Sequence, residues 1–79
     1  MPSPVASALS QAAHLRLAMG HVDDANLIAV FQDVGDAAIR ARLAELSLVP
    51  AQRCVVSAEQ CAFLSRVLAL RGRESRADQ

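Results

Sequence analysis

The sequence predicts an all-α fold, a small bundle of three to four short helices, on two observations. Apolar residues make up 53% of the 79-residue chain, and they recur at helical spacing rather than in strand-like alternation. Gly and Pro number only three each and stand near the ends of the periodic segments. We expect a single helical domain over 1–72 and a flexible polar tail over 73–79. The predicted helices cover about 4–19, 24–34, 36–47 and 58–71.

The first helix has clear start and stop signals. Ser3 followed by Pro4 is typical of an N-cap and a first helical residue. Gly20 suits the residue that ends a helix. The apolar face between them consists of Val5, Ala8, Leu9, Ala12, Leu15 and Met19.

The segment from 24 to 47 carries two apolar stripes that are out of phase. Asp23 or Asp24 is expected to cap its start. The stripes are rotated by roughly 100° from each other, and Gly35-Asp36 stands at the phase change. We therefore predict two helices, with Gly35 as a stop and Asp36 as a new cap, or one kinked helix. The first stripe is Leu27, Phe31, Val34 and Ala38, and the second is Ile39, Leu43 and Leu46.

The last helix follows a loop around Pro50. Ser57 with Gln60 matches a capping box, which predicts that Ser57 is the N-cap. Val56 and Cys61 would then form the hydrophobic staple across this start. This interpretation makes Cys61 a structural residue, although a thiol or metal role for Cys54 with Cys61 is the alternative.

The composition leaves a thin core. Sixteen of the apolar residues are Ala, and the chain has two Phe and no Trp or Tyr. Domains this small usually need disulfides, a metal or a second chain for stability. Since no basic leader or membrane-length apolar segment is visible, we expect a cytoplasmic protein with reduced cysteines. Abundant Ala and Arg without Lys favour a bacterial source.

Charge does not favour nucleic acid as the main partner, because the net charge is zero. Residues 1–36 carry a net −3 and residues 37–79 a net +3, which would suit head-to-tail or antiparallel pairing of two copies. Four arginines near the C-terminus leave a small DNA-binding regulator as the alternative function: Arg66, Arg71, Arg73 and Arg76.

No residue pattern predicts a catalytic, cofactor-binding or metal site. His14 and His21 are seven residues apart, so on one helix they lie too far apart to share a metal. The pattern of His21 beside Asp23 and Asp24 is typical of a turn that leads into a helix cap. The glycines are scattered rather than grouped in a phosphate-binding loop. We therefore expect a protein that is not an enzyme and has no small-molecule substrate.

The last helix carries the strongest functional signal. Its apolar residues cover about half of the circumference, and much of the other half is small: Ala58, Ala62, Ser65 and Ala69. Such a helix can pack against neighbours on both sides. We expect an intracellular protein–protein interaction module of the chaperone, adaptor or anti-activator type, acting as a homo-oligomer such as a homodimer or with a partner chain. The predicted interface residues are Phe63, Leu64, Val67, Leu68, Leu70, Ile28 and Phe31.

Overall fold

The chain forms an all-α bundle, as the sequence predicts. The computed structural model describes residues 3–48 and 55–77, with side chains of the last helix described over 56–73. Four helices occupy these residues, and no strand is present among them. The helices are α1 (Pro4–Met19), α2 (Asp24–Val30), α3 (Asp36–Ser47) and α4 (Val55–Ala77). The loop predicted around Pro50 falls mostly outside the described residues.

Both ends of α1 form by the mechanisms that its sequence predicts. The Ser3 hydroxyl accepts a hydrogen bond from the backbone N–H of Ala6 at 3.1 Å, which satisfies one of the free amides of the first turn. At the other end Gly20 adopts a left-handed conformation with φ of 83°. Its N–H donates to the carbonyl oxygen of Arg16 at 2.8 Å. The predicted bounds 4–19 are confirmed.

The α2 helix is shorter than predicted, ending at Val30 rather than 34. Residues 31–34 form a turn in which the Val34 N–H donates to the Phe31 carbonyl at 2.9 Å. This turn resolves the phase change between the two stripes, because it lets Phe31, Val34 and the following Ile39 all face the core. The choice between a break and a kink is therefore settled as a break.

The caps of α2 and α3 differ in detail from the prediction. Asp23 holds the N-cap position of α2, but its side chain makes no capping hydrogen bond and instead contacts His21 Nε2 at 2.9 Å. At α3 the N-cap is Gly35, and Asp36 is the first helical residue, where its charge suits the helix dipole. The prediction of Asp36 as the cap was wrong by one position.

The α4 helix extends beyond both predicted ends. It begins at Val55, so Ser57 is helical and cannot be the N-cap, which needs a non-helical backbone. Val56 is exposed instead of covered by Cys61, and the predicted staple is wrong. At the other end the helix continues through Gly72 to Ala77. Its 23 residues span roughly 34 Å.

The core lies where α4 crosses the other helices. α4 packs against α1, α2 and α3, and its contact with α3 is the most extensive. The fully buried large side chains come from three helices and the turn after α2. They are Phe31, Leu27, Ile39, Leu64 and Val67.

Candidate interaction surface

The residues predicted to form an interface are mostly covered by the chain itself. Phe31, Leu64 and Val67 are completely buried, and Phe63 is almost so. Ile28, Leu68 and Leu70 are half-buried. The apolar face of α4 thus serves the core of a single chain, and the contact of these residues with another chain stays a prediction. The opposite face of α4 does remain open, because its small residues Ala58, Ala62, Ser65 and Ala69 are exposed.

Large apolar side chains are exposed at other positions. Leu17 on α1 is 85% exposed, and Val56 at the start of α4 is 60% exposed. Leu48, which follows α3, is 84% exposed. Isolated exposed apolar residues are ordinary, so their significance depends on what surrounds them.

Leu17 and Val56 belong to the lining of one groove between α1 and α4. Its volume is about 750 Å³. Leu9 and Phe63, which belong to the core, also line the groove. Ala6 and Ala13 of α1, with Gly20 just after the helix, complete the apolar part of this surface. We call it the α1/α4 groove.

The residues along each wall of the α1/α4 groove follow helical spacing. On α1 the lining positions are 6, 9, 10, 13, 16 and 17, which lie on one face of the helix, and position 20 follows the helix. On α4 the positions 56, 59, 60 and 63 repeat the pattern of one helical face. Small residues on the α1 wall permit a close approach.

Charged side chains border the α1/α4 groove. Arg16 on α1 forms an ion pair with Glu59 on α4, and both residues line the groove. The same two residues line a second, smaller hollow that also involves Ala58 and Ala62. The Arg16–Glu59 pair therefore bridges α1 and α4 where the two hollows adjoin.

Arg42, from α3, also lines the α1/α4 groove. Its Nη1 donates to Glu45 Oε2 over 3.4 Å, at the long limit of a hydrogen bond. Its Nε is buried and finds no hydrogen-bond partner among the described residues. A buried donor without an acceptor carries a cost in free energy. Arg42 is consequently the charged group of this groove whose hydrogen bonding is least satisfied.

The other ion pairs of α4 hold the bundle together. Arg66 donates through Nε to Asp24 Oδ1 at 2.7 Å. Arg71 donates through Nη1 to Asp36 Oδ1 at 2.5 Å. These pairs join the basic C-terminal half to the acidic N-terminal half within one chain. Opposite charges of the two halves therefore attract each other inside a single molecule. They also engage two of the four arginines on which the DNA-binding alternative depends.

No candidate metal or thiol centre emerges from the described residues. Among the side chains that the structure describes, over 3–48 and 56–73, no three from His, Cys, Asp or Glu are placed to hold a metal ion. Cys61 is a half-buried free thiol, and Cys54 lies outside the described residues. His14 is exposed, and His21 contacts only the single carboxylate of Asp23 among the described ion pairs. Within the described ranges, none of the helices has both the length and the apolarity needed to span a bilayer.

Sequence reasoning missed the residues that define the α1/α4 groove. Leu17 lies about 200° around the helix from Leu15, on the face that the pattern assigns to solvent. An apolar residue on a polar face was the available signal. The local pattern around Val56 indicates a staple instead, and the position of Arg42 in the groove depends on tertiary packing that no local pattern reveals.

Protein-family models, curated proteins and solved structures were all compared with this chain, and none of them matches.

Proposed function

We propose that this chain is a small helical protein–protein interaction module and that it binds another chain through the α1/α4 groove. The single observation that carries the proposal is the groove itself, with Leu17 and Val56 exposed at its edges. Burying an exposed Leu side chain on association stabilises a complex by roughly 1.5–3 kcal/mol, before the costs of association are subtracted.

The α1/α4 groove replaces the face predicted from the sequence as the main contact surface. Of the residues predicted as the interface, the buried Phe63 contributes to the lining of this groove. The proposed module acts in the cytoplasm of a bacterial cell, without catalysis. Its partner is a second copy, as in a homodimer, or a different protein.

The proposed function is tested by two matched substitutions. Leu17→Asp places a charge at the edge of the groove, and Leu48→Asp places the same charge at an equally exposed Leu outside its lining. Native mass is measured by light scattering over a range of concentrations, and co-purifying chains are identified after affinity capture from the source cell.

We expect Leu17→Asp to abolish self-association or capture of a reproducible partner, and Leu48→Asp to leave them unchanged. Circular dichroism of both variants checks that the helical content is preserved. A stable monomer that binds no apolar dye and captures no Leu17-dependent partner contradicts the proposal.

A further inference from the structure

We infer that the α1/α4 groove is occupied by a second copy of this chain, with the two α1 helices packed antiparallel about a two-fold axis at the midpoint of α1. This inference rests on the proposed function and specifies the partner of the same site. It depends on the scarcity of charge along α1, on the sizes of the lining residues at its two ends, and on the charges of the helix ends.

The exposed side of α1 is almost free of charge. Residues 1–22 contain a single residue of the Asp, Glu, Lys and Arg types, Arg16, and Arg16 already pairs with Glu59 of its own chain. The large apolar side chain of Leu17 is 85% exposed on the same helix. Helices that face water normally carry charged residues on that side, whereas the centres of protein interfaces are depleted of charge. The exterior of α1 thus has the composition of a surface that another chain covers.

The lining residues of α1 complement each other when a second copy of the helix is reversed. If the midpoints of two antiparallel α1 helices coincide, the first residue of each lies opposite the last residue of the other, and the helices overlap fully. This register also sets Leu17 of each copy opposite Ala6 of the other, and Ser10 opposite Ala13. All four residues line the groove. The two-fold contact therefore places a large side chain against a small one twice, a relation that a partner of unrelated sequence does not require.

The ends of α1 favour the antiparallel direction. The first turn has no acidic residue to offset the positive end of the helix dipole. Antiparallel packing brings the negative C-terminal end of one α1 beside this positive end of the other, whereas parallel packing would place like ends together. In the proposed register the two Arg16 residues are separated by roughly 14 Å along the helix axis. This separation exceeds the screening length of about 8 Å at physiological salt, so their repulsion is small.

The α4 wall covers the docked helix from its other side. Val56 lines the groove and is 60% exposed. With one α1 in each groove, the two α1 helices lie between the two α4 helices in a four-helix arrangement. This arrangement buries Leu17 and Val56 of both copies. The zero net charge of the chain adds no long-range repulsion between the copies.

The register is tested by exchanging one facing pair for opposite charges. Leu17→Glu and Ala6→Arg each place an unpaired charge in the contact, so each variant alone should be monomeric at concentrations where the unaltered chain is dimeric. An equimolar mixture of the two should restore a mixed dimer, because the new carboxylate of one chain faces the new guanidinium of the other. Native mass spectrometry resolves the mixed dimer from either homodimer. In the matched control Leu48→Glu replaces Leu17→Glu, and Ala6→Arg should then stay monomeric, because Leu48 lies outside the groove lining.

A disulfide test gives a second measurement that introduces no charge. In chains whose Cys54 and Cys61 are replaced by Ala, Leu17→Cys is mixed with Ala6→Cys and oxidised in air. We expect a mixed disulfide dimer at least about fivefold more abundant than with Ala18→Cys in place of Leu17→Cys, because Ala18 is rotated by about 100° and lies outside the groove lining. If circular dichroism shows that Ala6→Arg is unfolded, the disulfide comparison decides the register.

The inference and the proposed function fail on different results. A chain that stays monomeric, a dimer that Leu17→Glu leaves intact, or equal disulfide yields for the Leu17 and Ala18 variants overturns the inference. If affinity capture then still yields a Leu17-dependent partner, the proposed function stands with a different protein in the groove. A Leu17-dependent dimer that neither the charge pair nor the disulfide restores or traps also leaves the proposed function standing, with another arrangement of the copies. The absence of both self-association and Leu17-dependent capture overturns both proposals.

Discussion

Arg71 Nη2 donates a hydrogen bond to the carbonyl oxygen of Phe31 at 2.7 Å. Phe31 follows the last residue of α2, and its carbonyl also accepts a hydrogen bond from the Val34 N–H. The same guanidinium contacts Asp36 at the start of α3. One side chain of α4 therefore fixes both ends of the turn between α2 and α3.

Substitution of Arg71 should cost more than substitution of its exposed neighbour Arg73. We expect Arg71→Gln to lower the free energy of unfolding by about 1–2 kcal/mol, because it removes a charged donor from a partly buried carbonyl. Arg73→Gln, two residues along the same helix and exposed, should change it by less than about 0.5 kcal/mol. Urea denaturation followed by circular dichroism measures both, and equal effects would contradict the role of Arg71.

Leu64 offers a direct test of whether the apolar face of α4 belongs to the core. Leu64→Ala should lower the free energy of unfolding by about 2–5 kcal/mol, because a fully buried Leu leaves a cavity. This loss should be the same in dilute and in concentrated protein. Leu48→Ala, at an exposed Leu, should have an effect near zero. A Leu64→Ala variant that is destabilised only in concentrated protein would show that Leu64 belongs to an interface between chains.

Two glycines should respond to Ala with opposite signs. Gly20→Ala should destabilise the chain by about 1 kcal/mol, because φ of 83° is strained for an L-residue even though the added methyl group meets no atom. Gly72 lies inside α4 with open space around it. Gly72→Ala should stabilise the chain by about 0.5–1 kcal/mol through helix propensity. Thermal melts of the two variants and the unaltered chain give the sign of each effect.

Two serines distinguish a true helix cap from an apparent one. Ser3→Ala should cost about 1 kcal/mol, because it removes the hydrogen bond to the Ala6 amide. Ser57→Ala should be neutral or stabilise by up to about 0.5 kcal/mol, because Ser57 is helical and Ala is the better helix former. If Ser57→Ala lowered the free energy of unfolding by about 1 kcal/mol, Ser57 would be the helix cap that the sequence suggests.

Local signals predicted the fold well where one residue decides the outcome. Ser3, Pro4 and Gly20 place α1 to the residue, because capping depends on a few neighbouring atoms. The same reasoning failed at Ser57, where a valid capping pattern lies inside a longer helix. It also missed the extension past Gly72, where the tertiary contacts of Arg71 lie just before a residue that usually ends helices.

The candidate site was harder to predict for a related reason. Periodicity identified the apolar face of α4 correctly, but whether Leu64 faces a neighbouring helix of the same chain or another molecule depends on how α1 to α3 close over it. The groove arises from the relative position of α1 and α4, and its edge residue Leu17 stands outside the periodic stripe. Helical periodicity predicts the direction in which a side chain points from its own helix. The groove depends on the relative positions of three helices, which periodicity does not give.

The central position of α4 determines when this fold can form. Leu64 and Val67 are part of the same core as Leu27 and Ile39, so a nascent chain that has emerged only through α3 carries an apolar face with nothing to close it. During synthesis the first three helices cannot complete the core until α4 has emerged. Until then their apolar residues are exposed to chaperones and to the ribosome surface. A break in the chain between 48 and 55 should therefore leave two fragments, each of which needs the other to fold.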